Sequence, residues 1–481
     1  MRRLIGGEPH GPALPIRSFL QPALRKDLFS MNSRDGTGRR RLLGSALALA
    51  TTGWLASCTA NKSGRADGSR RDGPSSAKDP VAYLRTSWST DPFARCSYSY
   101  LAPSTLGARA RTLLAAPVAG RLYFAGEATS SEAPSTAHGA LESGRRAAAE
   151  VSNDAESGEH IVVIGAGFAG LGCAHALSDD GFQVTVLEGR DRVGGRVWTR
   201  HLAGAPAEMG ASWIHGSSGN VMTKVLKETR DPSYTFDYDN AIGEDEHAMG
   251  ELARYEKKLE DVEDPDTATV ASVMPRRPSA ALRTALNIDY PLEFAAEPRQ
   301  LSVTATFEGR DLKGPDLLLP RGYDRLLAHV RGDIPVRTRQ VVTGVRHSGD
   351  GVTVTLKNGD SVRADRAVIT VPIGVLKAGT IDFDPALPNA KQEAVSALGA
   401  GLLDKLWLEF PKPFWDKDVD IIEWFDPDNP GLWSWWVNGY RAFGKPVLLG
   451  FNGGDHARKL ARASDDEVVD SAMRALHRMH V

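Results

Sequence analysis

The sequence predicts an α/β fold, a Rossmann-like domain beside an α+β domain, and three observations predict it. An apolar run, His160-Ile-Val-Val-Ile164, leads straight into the glycine pattern Gly165-Ala-Gly167-Phe-Ala-Gly170. A second apolar run, Gln183-Val-Thr-Val-Leu, reaches an acid, Glu188, about 20 residues on, the spacing of a βαβ unit. The length, 481 residues with 41% hydrophobic and 25% charged, leaves room for two to three domains with real cores.

The first sixty residues read as an address rather than a domain. Arg39-Arg40-Arg41 precedes Leu42-Leu43 and an Ala/Leu-rich run ending in Leu55-Ala56-Ser57-Cys58. A basic start, a short apolar middle and a small-residue end make an export signal over residues 1–58. The arginines before two leucines resemble a twin-arginine signal. Leu-Ala-Ser-Cys resembles a lipobox, in which Cys58 would be acylated and anchor the protein outside the cytoplasm. Met31 is an alternative start to Met1. Residues 59–79, rich in Gly, Ser, Arg and Asp, read as a flexible tether. The net charge of −2 argues against nucleic acid as a partner. Three widely spaced cysteines exclude a disulfide scaffold and a cysteine-based zinc site. Leu42 to Ala56 is too short to span a bilayer comfortably.

In the glycine pattern, Gly165 permits the tight turn, Gly167 lets backbone approach a pyrophosphate, and Gly170 permits close helix–strand packing. A helix is expected from Phe168 to about Ser178, closed by Gly181, its N-terminal N–H groups aimed at the phosphates. Glu188 is placed to accept bonds from a ribose diol. The unit alone leaves NAD and FAD both open.

The next residues choose. Asp191-Arg-Val-Gly194-Gly195-Arg196 resembles the R-x-G-G-R segment of the flavin-containing amine oxidases, with paired glycines close to the cofactor and Arg196 able to neutralise a diphosphate. Glu208-Met-Gly210-Ala211-Ser212-Trp213-Ile-His215-Gly216 is similar to the polyamine oxidase segment beneath the flavin. Val342 and Val345 resemble the family's adenine-contacting strand, with Val342 making the contact. Asp350-Gly351 and Asn358-Gly359 predict two hairpin turns among alternating apolar residues. Ala367 to Pro372, Leu387-Pro388 with Lys391, and Lys405 with Phe414-Trp415 continue the likeness. Ser464 and Glu467 form a capping box for a last helix.

The family's closing flavin segment stands at the other end of this chain. Trp88 to Phe93, Ser97-Tyr98-Ser99-Tyr100, Arg121 to Gly126-Glu127, and a helix from about Ala137 resemble it. The resemblance therefore covers residues 80–481 in circularly permuted order, joined through residues 151–159. It implies one FAD domain from residues 80–155, 160–225 and 333–378, and a substrate domain from 226–332 and 379–481. It implies that Val481 lies near the strand at Val81–Trp88.

The resemblance also implies chemistry: FAD-dependent oxidation of a polyamine or other primary or secondary amine. Hydride passes to flavin N5, the imine hydrolyses to an aldehyde, and oxygen becomes hydrogen peroxide. FAD is expected non-covalent, because Ser97 stands where covalent flavin is carried in monoamine oxidases, with Cys96 one position before. The implied flavin contacts are Gly126, Glu127, Thr136 and Ala137, besides Gly165, Gly167, Gly170, Glu188, Gly194, Gly195, Arg196, Gly210, Ala211, Ser212, Trp213 and Val342. The implied catalytic residues are Lys405, entering a half-buried strand and holding a water against N5; Tyr98, an aromatic wall beside the amine; and His215, facing the substrate. The second wall of that cage falls near Thr136, which is not aromatic. The tryptophans from Trp407 to Trp436 read first as core, and the acidic stretches Glu244–Glu246 and Glu260–Asp266 as solvated surface. Two other outcomes stay open: an L-amino-acid oxidase, which needs a cation for its substrate's carboxylate, and an inactive exported flavoprotein.

Overall fold

The structure, a computed structural model, describes residues 79–479. The export signal with Cys58, nearly all of the tether, and Val481 lie outside the described residues.

A five-stranded sheet carries the glycine motif. Its order is Val336–Arg337, Gln183–Leu187, His160–Ile164, Arg366–Ile369 and Leu122–Phe124, every neighbouring pair parallel. Parallel strands covered on both faces read as continuous apolar runs, and His160–Ile164 does. Successive side chains alternate between faces. Ile161 and Val163 join a core formed with the motif helix Phe168–Asp179 and the long helix Ala137–Asp154. Val162 and Ile164 point to the other side, against a small sheet. That sheet contains Val342–Ser348, Gly351–Leu356 and Ser361–Ala364, turning where the hairpin signals stand, with Gly351 and Gly359 at φ 128° and 92°.

A six-stranded sheet forms the second layer system. It runs Ala82–Arg85, Leu403–Glu409, Val447–Gly453, Trp435–Asn438, Ile421–Glu423 and Ala241–Ile242. Trp407, Trp435, Leu449 and Phe451 fill one face. Leu406, Leu408, Trp436 and Leu448 pack on the other, against the final helix Asp465–Met479. The capping box forms: Ser464 N donates to Glu467 Oε2 at 2.8 Å and Glu467 N to Ser464 Oγ at 3.3 Å. Trp407, Trp415, Trp433 and Trp436 are buried as core, Trp435 is buried but borders a cavity, and Trp424 is partly buried. In the first acidic stretch, Asp245 caps the helix Glu246–Glu256.

The division by residue number differs from the expected one in four places. Ala82–Arg85 pairs with Leu403–Glu409 in the six-stranded sheet, and Ser99–Leu101 with Leu398–Ala400, so residues 80–155 serve both regions. The helix Asp324–Arg331 packs through Leu326, Leu327 and Val330 into the motif core, though residues 226–332 were assigned elsewhere. Asp382–Asp384 extends the small sheet past residue 378. The long helix continues to Asp154, so the connection to His160 is shorter than 151–159. Arg366 clamps it, donating to Asp154 O at 2.5 Å and to Glu159 Oε2 at 2.7 Å. Strand pairing fixes membership here, and a short amphipathic strand does not name its partner.

Candidate active site

A cavity of about 640 Å³ runs from the glycine motif to the six-stranded sheet. All but one of the residues expected to touch cofactor or substrate line it: Gly165, Gly167, Gly194, Gly195, Gly210 to Trp213, Val342, Gly126, Glu127, Thr136 and Ala137, with Glu188, Arg196, Tyr98, His215 and Lys405. Gly170 is the exception, one turn behind the wall.

The three motif glycines have different causes. A Cβ on Gly170 would sit 1.9 Å from Gly165 O, so helix–strand packing forbids one. Gly165 has φ 111° and Thr370 Oγ1 2.4 Å from its would-be Cβ. At Gly167 the φ is −83°, and a Cβ would meet only Gly194 O at 3.7 Å. Protein packing therefore tolerates a side chain at 167. The bare backbone there makes room for a ligand in the cavity, as a pyrophosphate requires.

Glu188 accepts from Ala166 N and Arg190 N, both at 2.9 Å. Arg190 donates to Asp91 at 2.6 Å, and its buried Nη2 has no partner among the described residues, an orphan donor beside the cavity that suits a phosphate or ribose oxygen. Two helix N-termini converge on the same end: the motif helix, and the long helix capped by Thr136 Oγ1 accepting from Gly139 N at 3.0 Å. Both favour anionic groups. These residues fit a dinucleotide.

Arg196 lines the cavity beside the paired glycines. Its Nη1 donates to Glu127 Oε1 at 2.8 Å and to Ser97 O at 3.1 Å, so one edge of the guanidinium is held by protein. Glu127 also accepts from Ser99 Oγ at 2.6 Å and Ser135 N at 3.0 Å. Burial pushes the Glu127 carboxyl up, but the charges of Arg196 and Arg111 outweigh it and hold it below its usual value. The pair ties the residue 126–135 segment to the Gly194-Gly195 turn.

At the other end, Lys405 lies on a strand buried along nearly its whole length, not half-buried, because both faces of the sheet are covered. Its Nζ donates to Glu208 O at 3.1 Å, and lies 2.5 Å from both Gly210 O and Ser212 Oγ. Burial pushes its amine well down, against the opposing pull of Glu208, whose own carboxyl burial pushes up. Trp213 and Phe451 rings stand 5.8 and 5.5 Å from Nζ. Tyr98 donates its hydroxyl to Glu293 O at 2.8 Å, which turns the ring into a wall of the cavity. His215 Nδ1 lies 2.6 Å from Asp316 Oδ2. Ser97 exchanges hydrogen bonds with Leu403, and Cys96 is buried.

Sequence reasoning missed Tyr238, Glu293, Trp435 and Phe451, which line this end, and Asp316 behind it. Thr136 leaves no aromatic at its own position, but Tyr238, Trp435 and Phe451 supply rings from other segments. The alternation around Phe451 and Trp435 was a usable signal; Glu293 stands in an irregular stretch with none.

A glycine-lined nucleotide end joined to an aromatic end with a buried lysine defines a flavin-dependent oxidoreductase. The sequence model of flavin containing amine oxidoreductases matches residues 20–152 and 168–481. The chain is 32% identical over 357 residues to polyamine oxidase 4 of Oryza sativa subsp. japonica, covering 66% of this chain and 72% of that protein. It is 33% identical over 358 residues to polyamine oxidase 2 of Arabidopsis thaliana, with the same coverage. Putrescine oxidase bound to putrescine superposes with a TM-score of 0.53 at 19% identity, over 66% of this chain and 81% of that one. Cyclohexylamine oxidase from Brevibacterium oxydans gives 0.53 at 21%, over 65% and 79%. At those identities the structures speak for the fold. The chain belongs to the flavin-containing amine oxidoreductase family, and it is an FAD-dependent amine oxidase.

Proposed function

We propose that the substrate is a polyamine or another amine with a second cationic centre, oxidised at a carbon–nitrogen bond to an imine and then an aldehyde, with oxygen reduced to hydrogen peroxide. One observation carries the reading: Glu293 lines the cavity between two phenols. Its charge adds to burial in raising both Tyr98 and Tyr238. A carboxylate there suits a distal ammonium and repels the carboxylate of an amino acid. Non-covalently bound FAD supplies the hydride acceptor. The protein's part is to orient and dehydrate. Tyr98 and the rings of Trp213, Trp435 and Phe451 exclude water and present π faces to nitrogen. Lys405 holds a proton-bearing nitrogen at the junction of the two ends. Glu188, Gly167 and the two helix N-termini bind the nucleotide.

We also read the segment order as a circular permutation. The family match in two blocks around residues 153–167 supports this, as does the place of Leu122–Phe124 in the same sheet as the glycine motif. The test of function is peroxide release by the purified holoprotein offered spermidine, simple monoamines and L-amino acids. Polyamine turnover is expected to exceed the others, and Glu293→Gln to raise KM for spermidine about 10-fold, one lost charge-assisted contact. Peroxide from L-amino acids alone would replace the reading with an amino-acid oxidase. Yellow protein with no peroxide from any of them would leave an inactive flavoprotein.

A further inference from the structure

The amine of Lys405 is enclosed by one short stretch of backbone and one hydroxyl. Met209 N donates to Trp198 O at 2.9 Å and Ala211 N to Arg196 O at 3.2 Å, which pins residues 208–212 in place. Gly210 is needed there, since a Cβ on it would lie 1.6 Å from Arg196 O. Glu208 O, Gly210 O and Ser212 Oγ then meet Nζ at 3.1, 2.5 and 2.5 Å, its three acceptors among the described residues. Glu208 O also accepts from Trp407 Nε1 at 3.2 Å, so both of its lone pairs are taken. The Glu208 carboxylate is occupied elsewhere, by Thr199 Oγ1 at 2.9 Å and Tyr323 N at 2.7 Å.

The three acceptors are not alike. A backbone carbonyl only accepts, whereas a serine hydroxyl both accepts and donates. An ammonium carries three hydrogens, and the two carbonyls and Ser212 Oγ take one each. A neutral amine carries two hydrogens and a lone pair. The carbonyls keep the hydrogens, and of the three groups only Ser212 can turn a donor onto the lone pair. In the ammonium state the hydroxyl's own hydrogen falls to Gly210 O, 3.4 Å from Oγ. Ser212 and Lys405 are 4% and 6% exposed, where an unpaired donor or acceptor is costly. Glu208 is the charged group that acts on the amine, drawing it up while burial pushes it down. Tyr323 and Asp324 stand beyond Glu208. His215 stands beyond Trp213, just past the first strand of the three-stranded sheet Trp213–Ile214, Asp316–Leu318 and Tyr234–Phe236. Asp404 lies on the opposite face of the lysine's own strand, accepting from Thr86 Oγ1 at 2.9 Å.

We infer that Ser212 is a positioning residue for Lys405: its hydroxyl, turning between acceptor and donor, lets the buried amine gain and lose a proton with no hydrogen-bonding atom left unpaired. Hydride leaves an amine only after the ammonium proton has gone, and making hydrogen peroxide from oxygen takes a proton up. A group that can change charge is therefore of use at this end of the cavity, whichever amine is the substrate. When Lys405 gives up its proton, the Nζ–H bond facing Ser212 breaks, its electron pair stays on nitrogen and the proton goes to water. The hydroxyl then rotates its hydrogen onto that pair. The reverse restores the ammonium, and no electron changes hands.

The experiment follows the side-chain signal of Lys405 across pH in 13C-lysine-labelled holoprotein, the signal being the one missing from Lys405→Met. In wild type it should lose its charge well below about pH 10.4, where a free lysine does. In Ser212→Ala the ammonium loses a charge-assisted bond and the neutral amine an ordinary one, roughly half as strong, so the midpoint should fall by about one pH unit. Ser212→Thr keeps the hydroxyl and should keep the midpoint. Ser212→Cys, close in size but weak in hydrogen bonding, should fall between, and gives the contrast if the alanine protein does not fold. A serine that merely fills space would alter the melting temperature and leave the midpoint where it was. A midpoint unmoved or raised in Ser212→Ala, or lowered as far in Ser212→Thr, would overturn the inference, as would a wild-type signal still fully charged at about pH 10. Stopped flow gives a second readout. Whichever half-reaction Lys405→Met slows should shift its pH dependence downward in Ser212→Ala, in step with the lysine. A profile that stays while the midpoint moves would overturn the role in turnover. Protein that oxidises no amine would sink the proposed substrate class and leave the lysine titration, which needs no turnover, to decide this inference.

Discussion

At the glycine end of the cavity the backbone makes the site, whereas at the lysine end side chains from separate stretches do. Gly165, Gly167 and Gly170 act by lacking atoms, and all three stand on one strand–helix–strand unit, with Thr370 and Gly194 closing in from outside it. Lys405, His215, Tyr98, Tyr238 and Glu293 come from the six-stranded sheet, the three-stranded sheet and the loops between helices. The first kind of site is bound by spacing along the chain. The second is bound by tertiary packing, and burial tunes three of its groups: the Lys405 amine goes down, and the Tyr98 and Tyr238 phenols go up. Binding and chemistry should therefore separate cleanly by mutation.

The largest effect is expected at the lysine end. Lys405→Met keeps the side chain's bulk and removes its nitrogen, so FAD should stay bound while flavin reduction, reoxidation or both slow by about 10²-fold. Stopped-flow measurement of anaerobic reduction and of the oxygen reaction separates the two half-reactions. Wild-type rates in both would mean that the aromatic end works without its amine, and the contrast between the ends would collapse.

A smaller and different effect is expected at the glycine end. Glu188→Ala removes a buried acceptor of two backbone N–H groups, which costs about 1.5–3 kcal/mol of bonding to a charged group. FAD should dissociate more readily, while the residual holoprotein turns over at an unchanged kcat. Denatured protein should release all its flavin to the supernatant. Colour retained on the precipitated chain would show a covalent link and redraw this end of the site.

The smallest effect sharpens the comparison by leaving both ends alone. A gene in which residues 160–481 precede 80–154 joins the same elements in the other order. It should give the same FAD content and a melting temperature within a few degrees, since cuts in exposed loops are tolerated. Loss of FAD binding from that protein would refute the permutation.

The difference between the ends also explains what was legible in the sequence. The glycine end was readable residue by residue because its geometry is local: a strand, a turn and a helix whose spacing is the site. At the other end, family likeness reached Lys405, Tyr98 and His215. It missed Asp316 and Tyr238, which sit on and beside strands of only three residues, too short for any periodic pattern. Glu293 falls outside every helix and strand. The ion pair of Arg196 was out of reach for a related reason: a guanidinium near paired glycines suits a diphosphate, but its partner Glu127 lies far away in sequence. Domain ranges failed at Ala82–Arg85 because its partner strand, Leu403–Glu409, is set by packing alone.

The edge strand Leu122–Phe124 carries a consequence for synthesis. Its single neighbour in the sheet is Arg366–Ile369, and Leu122 pairs beside Ala367. On the ribosome the first leaves the exit tunnel long before the second exists. The long helix Ala137–Asp154 finds its partner, Phe168–Asp179, almost at once, but the strand before it must wait for most of the chain. Meanwhile Leu122, Tyr123 and Phe124, all buried in the finished molecule, stand in water as a naked apolar triplet. Contacts so distant in sequence slow folding and prolong exposure to aggregation. The segment that waits longest for its partner is therefore this strand, not the glycine motif of the cofactor site.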